Sequence, residues 1–206
     1  MTSSIGPFVT VAFVHHANQL LITDGYKDRR GVSDVVGSQE SETGLRLVLE
    51  LHRRYEVPLS LHISGTLLES IAWHCPEFLT ELRRLAELNL LELVGSSYGQ
   101  NMMRFFSHEH NLRQLNEQLQ LYEGLLGWEP KRVRVFWVPE RLWDTEALSP
   151  VLTDGRLSNG GYDCVIVDDR LFYSTDGNPS PRKLYDQSQS WNPVDFLPCR
   201  IRDGDG

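Results

Sequence analysis

Residues 132–150, RVRVFWVPERLWDTEALSP, put a single carboxylate where an apolar run stops. Arg132 to Val138 has the β-branched and aromatic character of a strand, and Pro139 breaks it. Glu140 follows directly, with Trp137 before it and Trp143 after it. A plain strand exit uses Gly, Asn or Ser, whereas an acid flanked by indole rings suits the apolar faces of sugar rings. Pro139 also fixes the backbone ahead of the acid, which helps to hold a reacting group in place. A carboxylate so placed can act as nucleophile or as general acid/base in glycoside hydrolysis. Most glutamates are solvated surface residues, and pairing with Arg141 or Arg132 is the bland account of this one. The flanking residues favour the chemical account.

Other reactive side chains weigh less. His15 and His16 are neighbours in an extended run, so their side chains point to opposite faces and only one can enter a pocket. The stretch SHEH at 107–110 lacks the i, i+4 histidine pair of H-E-x-x-H and reads as a solvated helix start, so no metal site is expected. A metal-dependent deacetylase or nuclease would need an aspartate beside His16, and Asp24 lies well beyond it. His52, His62 and His74 read as ordinary helix or strand residues. Met102, Met103, Phe105 and Phe106 read as packing.

The elements that must position Glu140 alternate. Strands are expected at 8–16, 57–64, 90–97, 132–138 and 162–169, with helices between them. ETGLRLVLELHRRYE, TLLESIAWHC and PEFLTELRRLAELN have helical spacing, and the helix after Ser107 is capped by that serine and stopped by Gly127. The polar, glycine-punctuated run ANQLLITDGYKDRRGVSDVVGSQES, 17–41, reads as one long loop. RLFYS and FLPCRI can add short strands. Alternation of this kind argues for a parallel sheet, either doubly wound or closed as a (β/α) barrel. Polar residues gather after every strand: His16 and Asn18, Ser64, Ser96 to Gln100, Glu140, Asp168. In a barrel these ends share one face, and no phosphate-binding glycine loop marks a nucleotide fold, so the α/β barrel is preferred.

Composition sets the outer bounds. The 206 residues are 40% hydrophobic and 23% charged, as expected of one globular domain. A net charge of −8 argues against nucleic acid or an anionic membrane as partner. Cys75, Cys164 and Cys199 are odd in number and far apart, which suits reduced thiols and a cytoplasmic protein. The stretch MTSSIGPF lacks the basic residues and apolar run expected of a signal peptide, no apolar run approaches the length needed to span a bilayer, and composition does not fix an oligomeric state.

WVPERLWD resembles the third motif of glycoside hydrolase family 57, FVHHANQ the first and ELVGSSYGQNMM the second; ISGTLLE and DDRLFY also resemble the family around its second and fifth strands. The resemblance implies a (β/α)7-type, TIM-like barrel and a retaining mechanism on α-glucans, as amylase, 4-α-glucanotransferase or branching enzyme, with no cofactor. It implies Glu140 as nucleophile, and His16, Asn18, Gln100, Trp137 and Trp143 as substrate-binding residues. The motifs depart from the family at Asn18, Leu20 and Gln100, where His, Pro and Glu or His are usual. The family's acid/base aspartate falls near the seventh strand, which places it beyond Gly206; Asp168 reads as a hydrogen-bond partner instead. The chain is thus expected to be the N-terminal portion of one barrel domain, inactive alone. The competing expectation is a non-catalytic carbohydrate-binding or structural remnant.

Overall fold

The computed structural model describes residues 11–18, 25–37 and 43–167. Its elements are β1 (Val14–Ala17), α1 (Gly25–Val36), α2 (Gly44–Tyr55), β2 (Leu59–Ile63), α3 (Gly65–His74), α4 (Glu77–Glu87), β3 (Leu91–Val94), α5 (His108–Leu126), β4 (Val135–Trp137), α6 (Thr145–Leu152) and β5 (Cys164–Ile166). All strand pairings are parallel: β1 with β2, β2 with β3, and β4 with β5. Gly95 joins the two sets, donating to the Val135 carbonyl at 2.8 Å and accepting from the Trp137 N–H at 2.7 Å. Strand order therefore follows chain order from β1 to β5 without the reversal of a doubly wound sheet. The chain has an α/β fold of parallel strands and helices, and every strand carboxyl end points the same way.

Local chemistry accounts for most element ends. Ser64, Ser107 and Asp144 cap α3, α5 and α6 by accepting from Leu67, His110 and Ala147 N–H groups. Gly127 closes α5 in the left-handed conformation at φ 66°. The core is a single apolar cluster in which Leu61, Ile63, Leu67, Leu115, Leu119 and Phe136 are fully buried. Tyr122 is buried among them and spans two strands, its hydroxyl lying 3.1 Å from the Ile63 carbonyl and 2.9 Å from that of Val94. Strand ends that must lie side by side are thereby tied from below.

The long loop expected over 17–41 is corrected: α1 occupies residues 25–36 of it. Val32 and Val36 sit one turn apart and are both buried, with α1 packing on α2 and α3. A short apolar stripe in a polar context becomes a helix because tertiary burial, not propensity, supplies the stabilisation. Gly37 then ends it at φ 82°, with its N–H on the Ser33 carbonyl. The observed strands are also shorter than the apolar runs that announce them. Among 102–106 only Met103 is buried, while Met102, Phe105 and Phe106 are exposed, because the short 3-10 turn Met103–Phe105 directs one side chain inward. RLFYS, FLPCRI, Asp168 and Cys199 lie outside the described residues. No helix among the described residues is long and apolar enough to cross a membrane.

Candidate active site at the strand carboxyl ends

The site begins with a register. His16 on β1 is directly opposite His62 on β2, so both rings project from the same face of the sheet. The rings stack with centroids 4.7 Å apart and 10° between planes, and the two Nδ1 atoms are 2.7 Å apart. Trp137, the last residue of β4, completes the stack: its ring lies 5.2 Å from that of His16 and 19° off parallel. His62 is completely buried, whereas His16, in contact with both His62 and Trp137, remains exposed. His15 points to the opposite face, where its Nε2 meets His52 Nε2 at 3.0 Å. The two side chains thus take opposite faces of β1, as their adjacency in a strand predicts.

Gln100 reaches the cluster from the loop after β3. Its Nε2 is 2.8 Å from the Ser97 carbonyl, 3.0 Å from Ser96 Oγ and 3.2 Å from His62 Nε2. Ser96 in turn donates to the Trp137 carbonyl at 2.8 Å, which couples this loop to the end of β4. The loop is held by α5: Gln114 accepts from Gly99 N–H, and Asn111 accepts from Asn101 and donates to the Met103 carbonyl.

Glu140 lies in the turn directly after β4, exposed, with Pro139 buried beneath it. It is close enough for its charge to act on His16. Burial lowers the His16 pKa, and the Glu140 carboxylate partly opposes that shift. The buried His62 ring is driven much further, down to about 3, first by burial and then by His16. Both histidines are therefore neutral near pH 7.

Backbone conformation marks the same loops. Five non-glycine residues among those described have positive φ. Glu56 caps α2, and Asn89 falls in the short turn after α4. The other three are Gln100 at 55°, Glu140 at 53° and Arg141 at 54°. A left-handed residue with a side chain costs roughly 1–2 kcal/mol, and such strain gathers where function fixes a side chain.

Not every expected residue joins the cluster. Trp143 donates from Nε1 to Thr145 Oγ1 at 2.9 Å and packs against the core. Asn18 lines, with His15, His16, Val35, Leu45 and Val48, an open cleft of about 400 Å³ between β1 and the first two helices. That cleft contains neither Glu140 nor Gln100, so the strand ends, where reactive groups converge, define the candidate site. His62, read from sequence as an ordinary strand residue, is at its centre. The available signal was positional, since His62 stands two residues before the strand-ending Ser64. Among the described residues no group of three or more His, Cys, Asp or Glu is arranged to hold a metal.

The chain is similar to proteins of known family. The 4-alpha-glucanotransferase of Thermococcus litoralis is 33% identical over 119 residues, covering 58% of this chain and 16% of that protein. An alpha-amylase of Pyrococcus horikoshii is 28% identical over 134 residues, covering 65% of this chain and 20% of that protein. The crystal structure of the 4-alpha-glucanotransferase from Thermococcus litoralis matches with a TM-score of 0.63 at 25% identity, over 84% of this chain and 24% of that one. The chain thus spans between about a sixth and a quarter of the length of these relatives. A family model described as Glycosyl hydrolase family 57 matches residues 40–198. With a match over most of its length, this chain belongs to glycosyl hydrolase family 57.

Proposed function

We propose that this chain carries the nucleophile of an α-glucan-active, retaining glycoside hydrolase or glucanotransferase, with Glu140 as that nucleophile. The observation that carries the reading is the placement of Glu140. It is a strained, exposed carboxylate at the carboxyl end of β4, acting on His16 of the ring stack in a chain of this family. We read the described strands as part of the wall of a (β/α)7-type barrel; their sequential parallel order is what such a wall requires.

Glu140 attacks the anomeric carbon and forms a glycosyl ester as the leaving oxygen departs. A second carboxyl group, ~5 Å away in retaining enzymes, protonates that oxygen and then activates the acceptor. Water as acceptor gives hydrolysis and a sugar hydroxyl gives transfer. His16 and Asn18 hold sugar hydroxyls, and Trp137 offers the ring face that His16 leaves uncovered. Gln100 spends its amide on Ser97, Ser96 and His62, so it serves the sugar through the histidines. Trp143 holds the loop that carries Glu140 rather than forming a second sugar platform.

A ring-fluorinated α-glucosyl fluoride tests the assignment without needing the acid, because fluoride departs with little protonation. Incubation followed by peptide mass mapping is expected to find one glycosyl adduct, on Glu140. The adduct should vanish in Glu140→Gln, which keeps the shape and removes the nucleophile. No adduct, or one that survives the substitution, sinks the assignment and favours a carbohydrate-binding role without catalysis.

A further inference from the structure

The hydrogen bonds behind His16 have a direction. The Ser97 carbonyl can only accept, so the Gln100 atom 2.8 Å from it is the amide nitrogen, not the oxygen. Ser96 Oγ gives its own proton to the Trp137 carbonyl, so it accepts from the same nitrogen and shares the second of the two amide hydrogens with His62 Nε2. An amide nitrogen accepts nothing. His62 Nε2, 3.2 Å from it, must therefore present a bare lone pair. A neutral imidazole with a bare Nε2 carries its proton on Nδ1, and His62 Nδ1 faces His16 Nδ1 at 2.7 Å. His16 must accept there and keep its own proton on Nε2. The opposite arrangement would aim a His62 N–H at the Gln100 amide hydrogens. Protonating both rings would set two N–H groups head to head.

We propose that Gln100 is a positioning residue that sets the polarity of the relay Ser97 carbonyl–Gln100–His62–His16, fixing His16 as a neutral donor through Nε2. The surroundings admit few rivals. His62 is completely buried, and the ionisable group acting on it is His16. His16 is flanked by His62 and Trp137 and feels the Glu140 carboxylate, while His15 and His52 pair on the other face of β1. Ser96 and Ser97 are completely buried, and the left-handed backbone at Gln100 aims its side chain back at them. A carboxylate at position 100 would invert the relay. It would accept from His62 Nε2–H, so that His62 Nδ1 accepts from His16 Nδ1–H and His16 Nε2 becomes an acceptor. A glutamine rather than an acid thus decides whether the site offers the sugar a donor or an acceptor at His16. Only that last purpose rests on the glycosidase reading.

Long-range proton–nitrogen correlation spectra of the ¹⁵N-labelled chain near pH 7.5 read both tautomers directly, with His62→Gln assigning the signals. In the unsubstituted chain, Nδ1 of His62 and Nε2 of His16 are expected at protonated, pyrrole-type positions. In Gln100→Glu, His16 Nδ1 is expected to move from the pyridine-type to the pyrrole-type position, or the ring to become imidazolium. Gln100→Met, uncharged and similar in size, removes the donor and should shift both rings toward averaged positions. A purely structural role for Gln100 would leave these shifts in place. A His16 proton on Nδ1 in the unsubstituted chain, or unchanged tautomers in both variants, overturns the proposal. An adduct on Glu140 with the wrong tautomer would refute this inference alone. The expected tautomers without an adduct would support it while refuting the catalytic reading.

Discussion

Replacing His62 by glutamine tests whether the buried ring is held neutral by the fold. Its pKa is lowered from 6.5 to about 3, mainly by burial. As pH falls through 6.5 the unfolded chain takes up a proton at this position, and the folded chain does not until about 3. The stability tied to His62 is therefore complete above 6.5 and drains away as pH falls toward 3. At pH 5 the medium lies about 1.5 units below the unfolded value, which at ~1.4 kcal/mol per unit costs about 2 kcal/mol relative to pH 7.5. Urea unfolding at those two pH values, for the unsubstituted chain and His62→Gln, measures the cost. His15 and His16 are also lowered and lose stability in the same direction, but both remain in the variant. Asp154 and Asp163 are lowered carboxylates, and their contributions are lost only as pH falls below the ordinary aspartate range. The variant starts from a different stability at pH 7.5, so the comparison is between the two pH-dependent losses. The unsubstituted chain should lose about 2 kcal/mol more than His62→Gln, or roughly 1 M in urea midpoint. Equal losses would show that His62 does not resist protonation and that its burial is relieved by some rearrangement.

Tyr122→Phe removes a hydroxyl that serves the Ile63 and Val94 carbonyls, and thermal unfolding should show a loss of about 1–3 kcal/mol. Tyr162→Phe should cost little or stabilise, because that buried hydroxyl has no partner among the described residues. A Cβ on Gly95 would meet the buried Tyr162 ring at 2.5 Å, so Gly95→Ala should cost about 1–3 kcal/mol by denaturant unfolding. Glu140→Gly should raise stability by up to ~1 kcal/mol, since it relieves a left-handed backbone at φ 53°, while Glu140→Gln should not. Both substitutions should abolish adduct formation, so calorimetry and mass mapping together separate strain from chemistry.

Much of this protein is local and so can be read from the chain alone. The apolar runs of β2 and β3, the capping of α5 by Ser107 and its arrest at Gly127, and the broken strand before Glu140 are each decided by neighbours in sequence. The side-chain alternation that separates His15 from His16 is equally local. The helix at 25–36 is different, because a stripe as short as Val32, Val35 and Val36 stabilises a helix only when α2 and α3 are there to cover it. The role of His62 is also tertiary. Nothing near it in sequence distinguishes it from His74, and only the β1–β2 register sets it against His16 while the loop after β3 brings Gln100 to its other nitrogen. Trp143 and Trp137 look equivalent as flanks of Glu140. Three-dimensional packing separates them, since one ring turns to Thr145 and the core while the other stacks on His16. Residue type and spacing determined which groups could react. The direction in which each proton is held depends on which lone pair faces which donor across three strands, and only the folded chain fixes that.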